Sequence, residues 1–130
     1  MTVVLDSWAI MRLLEGAEPA ASRVQAEIDA GQTVMSWINL GEIFYVLARS
    51  VGLAAAQSTV TDIENVVDVR LPDRKTMIDA ATIKALHPMS YADAFAAATA
   101  ARLRAPLWTG DPELLVAGAV WTTFNPGDAN

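Results

Sequence analysis

The amino-acid sequence predicts an α/β fold in which a mainly parallel central sheet is flanked by helices. Three observations lead there. Short β-branched or apolar runs recur along the chain, at Val3–Leu5, Thr33–Met35, Val66–Val69 and Pro106–Thr109. Between them lie segments whose apolar residues repeat with helical spacing. Hydrophobic residues make up 53% of the 130 positions and charged residues 18%, enough apolar material for a core and too little charge for a disordered chain. The length suits a single domain, residues 1–130, with about 125–130 forming a turn-rich, loose tail.

Taken in order, Val3–Leu5 reads as a buried strand that ends at Asp6. Trp8–Leu14 has helical spacing, and Gly16 stops it. Ala17–Pro19 is a turn, and Pro19 suits the start of a helix over Ala20–Ala30, which Gly31 ends. Thr33–Met35 is the second strand, and Ser36 is a natural N-cap for a helix running to about Ser50. Trp37, Leu40, Phe44, Leu47 and Val51 form the expected apolar stripe of that helix. Gly52 separates it from another helix over Ala54–Asn65, and Val66–Val69 is the third strand. A helix follows Pro72 to about Leu86, where His87-Pro88 closes it. Ser90 opens an alanine-rich helix through Leu103. Pro106–Thr109 is strand-like, Asp111-Pro112 is expected to start another helix, and Val120–Phe124 to form a last strand.

Composition removes several kinds of chemistry. The chain has no cysteine, so disulfides, thiolate catalysis and cysteine zinc sites are excluded. It has one histidine, so a histidine acid–base pair within one chain is excluded too. His87 itself reads as a helix-end residue. No apolar run approaches the roughly 18–20 residues that span a bilayer. The N-terminal MTVVLDSW lacks the basic region of a signal peptide, so the expected compartment is the cytoplasm, with no membrane partner. Carboxylates remain as the main reactive groups. The formal net charge of −6, with only nine Lys and Arg, argues against a nucleic-acid binder, and that objection weakens if several acids hold cations.

Four acids stand out, and three have an ordinary explanation. Asp6 follows a strand and precedes a helix, the place of an N-cap. Ser90-Tyr91-Ala92-Asp93 fits a capping box. Asp111 before Pro112 is an ordinary helix start. Glu42 lies in mid-helix, and its neighbours Ile38, Asn39, Tyr45 and Val46 include no cation, so no simple ion pair along the helix explains it. Asp6 and Asp111 both follow strands, and open α/β sheets bind ligands at the carboxyl ends of their strands. Converging carboxylates would repel one another unless a hard divalent cation joined them.

These residues resemble the PIN-domain family, and especially the VapC toxins of bacterial toxin–antitoxin pairs. Val3-Val4-Leu5-Asp6-Ser7 resembles the family's first acidic motif, and Asn39-Leu40-Gly41-Glu42-Ile43 its helical glutamate motif. Ser90-Tyr91-Ala92-Asp93-Ala94 resembles the third and Leu107-Trp108-Thr109-Gly110-Asp111 the fourth. Each motif is weak alone, and four in order across nearly the whole chain are fairly specific. The resemblance implies a PIN-like three-layer sandwich and an endoribonuclease dependent on one or two Mg²⁺ or Mn²⁺ ions. Its ligands would be Asp6, Glu42, Asp93 and Asp111, with Ser7 and Thr109 as supporting polar residues. It implies cleavage of tRNA- or rRNA-class targets by a metal-activated water, a homodimer, and a small VapB-type antitoxin. One departure is Trp8, where many relatives carry a small residue: it narrows the site mouth, offers a stacking face, or belongs to the core. Glu113 is either an extra site acid or a first-turn helix glutamate.

Cations that RNA could use are Arg12, Arg49, Arg102 and Arg104, although Arg102 and Arg104 also suit the end of their helix. Two rival readings remain: a non-catalytic module that binds an antitoxin or RNA while the acids serve as caps, and an aspartyl phosphotransfer protein. The second is the weaker, because Asp6-Ser7-Trp8 lacks a second aspartate and neither Lys75 nor Lys84 has an active-site context.

Overall fold

The computed structural model describes residues 1–116 and 119–128 of the chain. Its elements alternate as expected: β1 (Val3–Leu5), α1 (Ser7–Glu15), α2 (Ala20–Ala30), β2 (Thr33–Ser36), α3 (Trp37–Val51), α4 (Leu53–Val66), β3 (Asp68–Arg70), α5 (Arg74–Leu86), α6 (Tyr91–Leu103), β4 (Leu107–Trp108) and β5 (Thr123–Phe124). The strands form one sheet in the order β3-β2-β1-β4-β5, and every pairing is parallel.

Side-chain alternation along β1 divides the core into two layers. Val3 and Leu5 face one way, into a cluster with Ala9 and Ile10 of α1, Val24 and Ile28 of α2, Leu40 and Ile43 of α3, and Val60 and Ile63 of α4. Val4 faces the other way, with Val34 and Leu107, onto Ala80 and Ile83 of α5 and the alanines of α6. The result is a three-layer sandwich. Buried on both faces, the strands carry near-continuous apolar runs, as parallel strands do.

Helix α6 explains its own composition. Ala94, Ala96, Ala97, Ala98 and Ala100 are all essentially inaccessible. A helix covered on most sides, between α5 and the sheet, needs small side chains for close approach. It starts at Ser90, whose Oγ accepts from the Asp93 N–H at 3.1 Å, and ends at Arg104 in the left-handed region (φ 51°). Left-handed glycines end α1 and α2, at Gly16 (φ 66°) and Gly31 (φ 82°).

Several local expectations are corrected. The Val66–Val69 strand lies two residues later at its start: Val66 still belongs to α4, because the Val67 N–H continues the helical pattern to the Ile63 carbonyl at 2.9 Å. On α3 the buried face is Asn39, Leu40 and Ile43, whereas Val51 at the helix end is 60% exposed. Asp111-Pro112 opens a turn over Pro112–Leu114 and no helix among the described residues. The Leu114 carbonyl, which a continuing helix would use, accepts instead from Trp121 Nε1 at 3.0 Å. The last strand is only Thr123–Phe124. The described part of the tail is tied down: Arg23 Nη1 donates to the Pro126 carbonyl at 3.0 Å and to that of Asp128, and Pro126 is buried. The rest of the expected loose tail, 129–130, lies outside the described residues.

If close approach is the reason for the alanines, Ala97→Leu should destabilise the chain by about 1–3 kcal/mol through overpacking. Urea unfolding followed by circular dichroism measures this; a midpoint unchanged from wild type would contradict the packing argument.

Candidate active site

The sheet order places a topological switch point beside β1. The chain leaves β1 toward β2 and β3, then returns on the other side as β4 and β5. Crossovers that diverge in this way open a crevice at the carboxyl ends of the two central strands. Leu5 and Trp108 are register partners there. Asp6 directly follows Leu5, and Thr109-Gly110-Asp111 follow Trp108. Helix α3 leaves β2 at the same end of the sheet and carries Glu42, and the first turn of α6 carries Asp93.

Of the three aspartates, Asp6 alone makes the full local bond its sequence position predicted. Asp6 is 1% exposed, and its Oδ1 accepts from the Ala9 N–H at 2.9 Å, capping α1. Asp93 receives only half of its capping box: Ser90 Oγ accepts from its N–H, and no return bond to the Ser90 N–H is made. Its carboxyl lies beside that of Asp111 instead, with oxygens of the two within 4.8 Å. Asp111 is held in a tight turn. Its N–H donates to Thr109 Oγ1 at 3.0 Å, and its Oδ1 accepts from the Glu113 N–H at 3.0 Å. Capping and site formation are therefore compatible, since a cap occupies one oxygen and leaves the charge in place.

Electrostatics ties the acids together. Burial pushes the Asp6 carboxyl up to about 7; the Thr109 hydroxyl and the Ala9 N–H pull it down, while the charges of Asp111 and Glu42 push it further up. Asp93 is also pushed up to about 7, first by burial, then by the charge and close approach of Asp111; the Ser90 side chain pulls it down, and the charge of Asp6 adds a smaller upward push. Such values mean that the folded chain holds protons at neutral pH that free carboxyls would have released.

The four expected acids are not a single knot. Carboxylate oxygens of Asp93, Asp111 and Glu113 lie within 4.8 Å of one another. Asp6 and Glu42 flank this group at distances where they act through charge. Glu42 is half-buried with no ion-pair partner among the described residues. Glu113, read from sequence as either site acid or helix residue, stands with the acids on a turn. Thr109 is fully buried; its Oγ1 accepts from the Asp111 N–H, and its hydroxyl favours the charged form of Asp6. Ser7 Oγ donates to the Asn39 carbonyl at 3.2 Å, so the side chain next to Asp6 bonds to α3 and not to the Asp6 carboxylate.

Trp8 lies half-buried against the fourth acidic segment. A Cβ at Gly110 would fall 2.2 Å from its ring, so Gly110 is required by space, and the indole backs the loop that holds Asp111. The arginines are mostly engaged elsewhere. Arg12 sits 5.3 Å over the Trp8 ring and pairs with Glu15 at 3.3 Å. Arg49 lies over Tyr45. Arg102 pairs with Asp73 at 3.0 Å, nine residues and so roughly 13–14 Å along α6 from Asp93, and Arg104 caps that helix. Both occupy the helix-end role that their positions suggested.

Sequence reasoning passed over Asn39, which is completely buried. Its Nδ2 donates to the Ala92 carbonyl at 3.1 Å and lies 3.5 Å from Ser7 Oγ. The available signal was a lone carboxamide on the core side of an otherwise apolar helical turn, since a buried amide needs partners.

A parallel α/β sandwich with carboxylates gathered at its switch point defines a class of acidic-site domains, and the sequence places the chain within that class. The sequence model of the PIN domain matches residues 3–119, so the chain belongs to the PIN-domain family. Among solved structures, it is similar to the DNA-bound VapBC of Salmonella typhimurium, with 17% identity, TM-score 0.78, and 97% of this chain and 98% of that one covered. The VapBC-1 structure of nontypeable Haemophilus influenzae gives 20% identity and TM-score 0.76, covering 98% and 100%. The VapC20 toxin of Mycobacterium tuberculosis, described as cleaving the sarcin-ricin loop, gives 18% identity and TM-score 0.73, covering 90% and 95%. No curated protein sequence matches the chain.

The raised carboxyls set a pH dependence. Between pH 4 and 7 the folded chain binds protons that the unfolded chain has released, so stability is greatest below the unfolded value and falls as pH rises toward 7. Asp73, held below the usual range by its bonds from the Thr76 N–H and hydroxyl and by Arg102, acts only at lower pH. In chelator-treated protein, unfolding stability should therefore drop on the order of a few kcal/mol from pH 5 to pH 8. Denaturant titrations at both values check it; stability rising over that interval would contradict the clustering.

Proposed function

We propose that this chain is a metal-dependent endoribonuclease acting in the cytoplasm as the toxin of a toxin–antitoxin pair. The observation that carries the reading is the group of Asp93, Asp111 and Glu113, flanked by Asp6 and Glu42, at the switch point of a PIN-domain sheet. The donor set suits Mg²⁺ or Mn²⁺: it is all carboxylate oxygen, with no cysteine in the chain to favour a softer ion. Burial, with mutual repulsion added to it, raises two of these carboxyls, and one or two divalent cations would offset both. A bound ion would supply Lewis-acid polarisation of a phosphodiester and a water of lowered pKa.

The chain's own residues do the positioning. Asp111 and Glu113 are fixed by one turn, Asp93 by the start of α6, and Asp6 by its cap on α1. Thr109 holds Asp6 and Asp111 together. With a metal-activated water as the nucleophile in place of the RNA 2′-hydroxyl, cleavage is expected to be hydrolytic, leaving a 5′-phosphate and a 3′-hydroxyl. The substrate class is RNA of the tRNA or rRNA kind. The VapBC and VapC neighbours support a small VapB-type antitoxin as partner, and a homodimer goes with that reading.

One observation favours a second reading, a non-catalytic PIN-like module: Asp6, Asp93 and Asp111 all make helix-start or turn bonds. Asparagine separates the two, because it keeps the capping oxygen and removes the charge. The nuclease reading predicts that Asp6→Asn and Asp111→Asn stay folded and lose at least about 100-fold in RNA cleavage, and that excess EDTA abolishes wild-type cleavage. Purified protein on 5′-labelled total RNA gives the measurement. Undiminished cleavage by both variants, or 2′,3′-cyclic phosphate ends, would overturn it.

A further inference from the structure

Three acid-bearing segments meet on one side chain that belongs to none of the acids. Asn39 lies in the first turn of α3, three residues before Glu42 and on the same helical face. Its Nδ2 reaches the Ala92 carbonyl, in the peptide immediately before Asp93. That carbonyl can only accept, so the orientation of the carboxamide is determined: nitrogen faces α6. The same nitrogen lies 3.5 Å from Ser7 Oγ, and Ser7, next to Asp6, returns a bond to the Asn39 carbonyl at 3.2 Å. Asn39 Oδ1 is buried with no hydrogen-bond partner among the described residues. The side chain is thus used for its donor end, toward α6 and α1.

We propose that Asn39 is a positioning residue that holds the Asp6, Glu42 and Asp93 segments in the mutual arrangement required to bind a divalent cation. The inference rests on the nuclease reading of the site. A packing role alone would be filled by any side chain of this size. The hydrogen-bonded link is directional instead: it needs an N–H donor at this point, and it sets the first turn of α6 against the first turn of α1 across α3. Residues of this kind, which orient ligands without touching the ion, commonly change metal affinity by 10–100-fold when replaced.

The test uses the full chain and Mn²⁺ as probe. Asn39→Leu keeps the γ-branch and the number of heavy atoms and removes the donor; Asn39→Asp keeps the shape and places an acceptor against the Ala92 carbonyl. Both should bind Mn²⁺ about 10–100-fold more weakly by calorimetry, with kcat on RNA reduced to match and KM for RNA within about twofold of wild type. A structural role alone would lower the melting temperature and leave Mn²⁺ affinity of the folded fraction unchanged. Folded Asn39→Leu with wild-type Mn²⁺ affinity and kcat overturns the proposal. If both variants unfold, Ser7→Ala removes one arm of the link at a partly exposed position; it should weaken Mn²⁺ binding in the same direction, and unchanged affinity overturns the proposal. Wild-type chain that binds no Mn²⁺ and cleaves no RNA removes the nuclease reading itself, a result distinct from wild-type activity that Asn39 does not influence.

Discussion

Carboxylates gathered at the end of a parallel sheet repel one another, and burial strengthens that repulsion by removing the water that would screen it. At the switch point between β1 and β4 burial first, and repulsion added to it, works against folding in the metal-free chain, since Asp6 and Asp93 are held as partly protonated acids near neutrality. The surrounding structure supplies opposing contacts. The Ala9 N–H and the Thr109 hydroxyl stabilise Asp6, the Ser90 side chain favours the charged form of Asp93, and the Glu113 N–H donates to Asp111 Oδ1. On the proposed reading, a divalent cation offsets the remainder, so that the feature least favourable to the empty fold is the one on which its chemistry depends.

The scaffold makes such a site tolerable by fixing it from both faces. Helix α6 brings Asp93 to the crevice from the layer of Val4 and Leu107, while α1 and α3 bring Asp6 and Glu42 from the layer of Leu5 and Leu40. The alanines of α6 allow the close approach, and Trp8 fills the space over Gly110 that a larger residue would need. Packing thus determines where charges sit, and core residues several ångströms away contribute to the geometry of the acids.

Much of this was legible in the sequence, for physical reasons. Short β-branched runs, helical spacing and caps at Asp6, Ser36 and Ser90 mark the ends of elements because each satisfies a local backbone requirement. The failures were of another kind. Val66–Val69 is apolar enough for either state, and a backbone bond from Val67 to Ile63 decides for one more turn of helix. Asp111-Pro112 carries a helix-start signal, but the indole of Trp121, seven residues from Leu114, takes the carbonyl that would extend it. Ser7 and Asn39 are 32 residues apart, so nothing local indicates that they bond to each other and not to Asp6. Glu113 was ambiguous because a first-turn glutamate and a site acid look the same until the turn is built. The chemistry-bearing acids were visible in the sequence; their grouping into Asp93, Asp111 and Glu113, with Asp6 and Glu42 alongside, is a tertiary fact.

The most direct measurement of the central claim is the number of protons released when Mn²⁺ binds. Calorimetry of the chelator-treated chain at pH 6.5, in two buffers of different ionisation enthalpy, gives that number. If the acidic group is the metal site and holds protons near neutrality, binding should release about one proton or more per chain, fewer at pH 8. Binding without proton release at pH 6.5, or no binding at all, would contradict it.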